Sequence, residues 1–178
     1  GVKVDLMERN LLAGTFTAII ALTLITTTPA IGCVMPDDLK AALRKEMCKV
    51  PEYRSFSGSG PDCLELQSRQ RGEDSGVQVG AARLCGFEAE GAELERLNKA
   101  LSPYIEAMYE CIDVNFDTKK VFNDGFDHGI KMVNSMRVCS AELNETMRTR
   151  LPVLISMGLK SLEIGKKLNE KFNIQIKQ

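Results

Sequence analysis

Residues Glu88 to Ile112 read EAEGAELERLNKALSPYIEAMYECI, and the spacing of their apolar positions decides the fold class. Leu94, Leu97, Leu101, Tyr104, Ile105, Met108 and Ile112 recur every three or four residues. On a helix they form one apolar stripe, which another element must cover. Pro103 interrupts the run. Either Ser102-Pro103 starts a new helix, or a kinked helix continues from 88 to 114.

Downstream, Phe122, Phe126, Ile130, Val133, Met136, Leu143 and Met147 form a second stripe, with Asp117 as its candidate N-cap. Thr149 and Pro152 mark a boundary. A last helix is expected from about 152 to 172, carried by Leu154, Met157, Ile164, Leu168 and Phe172, with Leu151, Ile155, Leu159 and Leu162 beside them. Lys160, Lys166, Lys167 and Lys171 suit the negative end of its dipole. Upstream, Pro36-Asp37-Asp38 starts a short helix over 37–49, and Pro51 follows it. Between them, residues 51–87 are broken by Pro51, Gly58, Gly60, Pro61, Gly72, Gly76, Gly80 and Gly86. They read as a flexible, irregular loop with one helical turn near Cys63 to Arg69. A loop this long needs anchoring, and Cys63 and Cys85 supply it.

The expected fold class is therefore all-α: a small bundle of three long amphipathic helices plus one short, with disulfides and a long irregular loop. Its hydrophobic fraction of 44% against 26% charged residues is enough to bury a core.

The compartment is read from the N-terminus and the cysteines. Leu11 to Ile31 carry no charge, Arg9 precedes them, and Ala30-Ile31-Gly32 places small residues before Cys33. That is the layout of a secretory signal peptide. Residues 1–32 are read as signal peptide with upstream residues (Met7 being a candidate initiator), and 33–178 as a single secreted domain. An uncleaved membrane anchor is the competing reading, and only it would make the membrane a partner; in either case the chain from 33 onward is translocated. All six cysteines, Cys33, Cys48, Cys63, Cys85, Cys111 and Cys139, follow the apolar run, so three disulfides are expected. No Cys-x-x-Cys occurs, which disfavours a structural zinc site or a redox pair. A hairpin turning near Asn123-Asp124-Gly125 would pair Cys111 with Cys139; a turn at 115–117 would not.

Composition narrows the function classes. A net charge of −1 gives no electrostatic reason to expect nucleic acid, and the absence of Trp disfavours sugar-stacking platforms. The single histidine, His128, lies beside Asp127; a general-base role is conceivable, but a surface or partly buried histidine is the expectation. Residues 113–124 begin like a calcium loop, with Asp113, Asn115 and Asp117, then lose the pattern at Thr118, Lys119 and Lys120. Glu73-Asp74-Ser75-Gly76 has no partner for hydrolase chemistry in sequence. Asn144-Glu145-Thr146 is an N-glycosylation acceptor in a secreted chain, which expects Asn144 to face solvent. Met108, Met136, Met147 and Met157 are read as core, with a pocket for an apolar ligand as the alternative. No catalytic, cofactor or metal residue is assigned. The functional expectation is a secreted, non-enzymatic binding or interaction module whose partner is an extracellular protein. The alternatives are an extracellular carrier of a small apolar ligand and, least favoured, a hydrolase.

Overall fold

The computed structural model describes residues 33–47, 63–174 and 176. The described residues form five helices: α1 (Asp37–Met47), α2 (Cys63–Leu84), α3 (Glu88–Cys111), α4 (Thr118–Asn134) and α5 (Ala141–Lys171). The leader at 1–32 and Cys48 lie outside them.

The all-α bundle is as expected, with two corrections. Residues 63–84 are not irregular: they are the long helix α2, so four long helices accompany the short α1. The second stripe is also not one helix. α4 stops at Asn134, Arg137 takes a left-handed conformation (φ 61°), and Ser140 caps α5 by accepting from the amide of Leu143 at 3.1 Å. α5 then runs on through Pro152, as α3 runs through Pro103. Asp117 caps α4 as expected, accepting from the amide of Lys120 at 2.9 Å.

The glycines that suggested a loop explain why α2 is a helix. Ser68, Gly72, Gly76 and Gly80 recur every four residues on α2, and Val121, Gly125, Gly129 and Val133 do so on α4. These stripes bring the two backbones into direct contact. Gly72 faces the main chain of Phe122 and Phe126, Gly76 that of Phe126 and Ile130, and Gly125 that of Arg69 and Glu73. The numbers rise together, so α2 and α4 run parallel. Each glycine costs roughly 1 kcal/mol in helix propensity; the close approach offsets this with extended van der Waals contact.

α3 and α5 form a second parallel pair. Gly158 meets Leu97, and Gly165 meets Leu101 and Tyr104. α2 and α3 are antiparallel: Gly91 packs on Ala82, and Arg83 pairs with Glu95. Successive long helices thus alternate in direction, and the contacts between like-directed helices carry most of the packing.

This arrangement gives the bundle two ends, each with its own core and disulfide. At one end Leu64, Met108, Tyr109, Leu168 and Phe172 are buried with Met35 and Leu43. Cys33–Cys111 fastens it, with Cα atoms 5.6 Å apart. The amide of Val34 donates to the carbonyl of Phe172, and Lys40 and Arg44 of α1 reach Asp113. At the other end Val79, Ala82, Leu94, Val133, Met147 and Leu151 are buried. Cys85–Cys139 fastens that end, with Cα atoms 5.1 Å apart. Cys63 is also disulfide-bonded, to a partner outside the described residues. The pairing of Cys111 with Cys139 is therefore overturned: the chain turns between α3 and α4 at 112–117, which leaves those two cysteines at opposite ends. Among the described residues, no helix is long and apolar enough to cross a membrane.

Candidate functional site

Between the two cores the facing sides of α2 and α3 turn polar. On α2, Ser68, Arg71 and Ser75 occupy one face at helical spacing between the buried Leu64 and Val79. On α3, Asn98, Ser102 and Glu106 repeat every four residues between the buried Leu94 and Met108. The two stripes line a cleft of about 50 Å³, whose apolar side is Leu101, Ile105 and Phe122.

The polar groups there are unequally satisfied. The hydroxyl of Ser102 donates to Oε1 of Glu106 at 2.6 Å, and that of Ser68 makes a long contact with the carbonyl of Thr118 at 3.5 Å. Arg71 is half-buried, and among the described residues no hydrogen bond or ion pair holds its guanidinium. Glu106 lines the same cleft, yet the two charges are not within ion-pair distance of each other. The nitrogens of Arg71 are not buried away from water, so the guanidinium is solvated and open to an anionic group.

The residues singled out in the sequence are placed as follows. His128 is exposed, and its Nδ1 lies 2.9 Å from Oε2 of Glu73, linking α4 to α2. Its partner is thus not the adjacent Asp127. Ser75 lies two residues beyond Glu73, so on a helix it points to the opposite side and into the cleft. Ser75, His128 and Glu73 are not brought together as a triad.

The start of the calcium-loop pattern is committed elsewhere. The carboxylate of Asp113 meets Lys40 at 3.4 Å, Asp117 caps α4, and Asp124 pairs with Lys120 at 2.8 Å. The Lys120 ammonium holds the Asp124 carboxyl below its ordinary range. Among the described residues no three His, Cys, Asp or Glu side chains are grouped to hold a metal ion.

Asn144 is half-buried rather than turned fully to solvent. Its Nδ2 donates to the carbonyl of Cys85 at 3.4 Å. Met108 and Met147 are core, Met157 is half-buried, and Met136 is exposed; none of the four lines the cleft. Met132 and Met136, four residues apart on α4 and the turn after it, are 38% and 43% exposed, and Val138 is 71% exposed. Val138 directly precedes Cys139 of the Cys85–Cys139 disulfide, and Val153 and Leu159 of α5 are exposed as well. Sequence reasoning missed the cleft because Ser68, Arg71 and Ser75 fell in a segment read as loop; their helical spacing was the available signal.

No protein-family model, curated protein or solved structure matches the chain.

Proposed function

We propose that the chain is a secreted, non-enzymatic binding module: a disulfide-fastened helical scaffold that presents an apolar tip to an extracellular protein. The observation that carries this reading is the exposure of Met132, Met136 and Val138 beside the Cys85–Cys139 disulfide. Apolar side chains grouped at one tip cost solubility and serve contact with a partner. Methionine adapts its shape to the surface it meets. Disulfides at both ends suit an oxidising compartment and keep the scaffold rigid without a large core.

Residues 1–32 act in this reading as the cleaved leader. Asn144 is the glycan acceptor, modified before the end at 85–139 closes, because its amide nitrogen is otherwise engaged with Cys85. Expression of the full chain in a eukaryotic secretory system tests this part. The intact mass of medium protein, before and after reduction and deglycosylation, should show loss of the leader, three disulfides and one glycan removed by Asn144→Gln. Retention in the cytosol with free thiols would overturn secretion.

The binding role is tested by replacing the tip. Met136→Lys with Val138→Lys should abolish capture of a partner from extracellular fluid while leaving the far-UV circular dichroism unchanged. Capture that is indifferent to these changes removes the tip as the contact.

A further inference from the structure

We propose that the cleft between α2 and α3 binds a small zwitterion, a free α-amino acid with a short apolar side chain. Its carboxylate would meet Arg71 and its ammonium Glu106. Two opposite charges line one cleft without touching each other, and among the described residues the cation has no partner. A bound anion alone would satisfy Arg71 but meet the negative charge of Glu106; a bound cation alone would do the reverse. A molecule carrying both charges satisfies both.

The remaining lining fits the same ligand. Ser75 and Asn98 add hydrogen-bonding groups near the charges, and Phe122 and Leu101 offer a short apolar surface. Glu106 accepts from Ser102 through Oε1 only, which leaves Oε2 for an ammonium donor. The planar guanidinium suits two-point contact with a carboxylate. The apolar part of the lining, Leu101, Ile105 and Phe122, is small and suits a short side chain such as that of alanine. The site stands on the cleft alone and does not depend on what the apolar tip contacts.

The test is an NMR titration of the oxidised, full secreted chain with L-alanine at constant ionic strength. Propionate and ethylammonium serve as the two half-ligands, because each keeps one charge of alanine. The expected result is saturable shifts in the amides of Ser75, Asn98 and Ser102 with L-alanine, and at least about tenfold weaker binding of either half-ligand. Arg71→Gln and Glu106→Gln should each weaken L-alanine by at least about tenfold. Arg71→Lys, which keeps the charge but not the planar fork, should restore part of the affinity and guards against a folding artefact. The proposal is overturned if L-alanine gives no saturable shift, if a half-ligand binds equally well, or if both glutamine variants bind as the parent does.

Discussion

Gly76 of α2 lies directly against the backbone of α4, where a Cβ would stand 2.9 Å from the carbonyl carbon of Phe126. Real side chains do not approach that closely, and backbone cannot move aside as a rotamer can. Two effects oppose each other in Gly76→Ala. Helix propensity favours alanine by about 1 kcal/mol, whereas separating two packed helices costs about 2–4 kcal/mol. The clash wins, and urea unfolding should show a net loss of about 1–3 kcal/mol. Gly158→Ala is the contrast: its nearest neighbour is Cδ1 of Leu97 at 3.0 Å, the end of a flexible side chain. That variant should stay within about 1 kcal/mol of the parent.

The disulfide between Cys85 and Cys139 closes a loop with a sequence separation of 54. Loop-closure entropy for that length corresponds to about 4 kcal/mol. The double variant Cys85→Ala, Cys139→Ala should lose about 2–4 kcal/mol by denaturant unfolding. Hydrogen exchange should rise first around Val133 and Met147, which are buried at that end. Equal loosening at the Cys33–Cys111 end would mean that the two cores are one cooperative unit.

Among the described residues Arg71 makes no pairing that holds the fold together. Replacing it with leucine removes a cation that has no partner among the described residues and places an apolar side chain in the cleft that Phe122 and Ile105 line. Arg71→Leu should therefore leave stability within about 1 kcal/mol of the parent, while removing a ligand contact. A larger fall in stability would show that Arg71 has a structural role instead.

Glu95 bridges helices α2 and α3. Lys99 at 3.0 Å, and after it Arg83, hold its carboxyl below the ordinary carboxylate range. A carboxyl depressed in the folded state adds stability above its unfolded pKa and loses it as pH falls through the folded value. Stability of the parent should thus decline with acid below about pH 4.5, and Glu95→Gln should flatten part of that decline. The groups are partly exposed, so the difference at pH 7 should be below about 1 kcal/mol. Parallel acid profiles for parent and variant would remove the pair from the pH dependence.

The helical class, the cap at Asp117 and the stripe of α3 were legible because each rests on local spacing or on one side chain meeting the backbone nearby. Pro103 and Pro152 were ambiguous, since a proline ends a helix or sits within it according to how firmly both flanks are packed. The polar cleft was hidden by one error. Once 63–84 was read as loop, Ser68, Arg71 and Ser75 no longer shared a face, and their meeting with Asn98 and Glu106 could not be seen.

By itself the sequence determined which segments from Glu88 onward are amphipathic and therefore need a bundle, because hydrophobic periodicity is a property of the chain alone. Tertiary structure alone decided that Gly72, Gly76, Gly125 and Gly129 are contact points, and that Cys111 joins Cys33 while Cys139 joins Cys85. A glycine removes a side chain in either case. Whether it breaks a helix or admits a second backbone depends on what stands in the space it leaves.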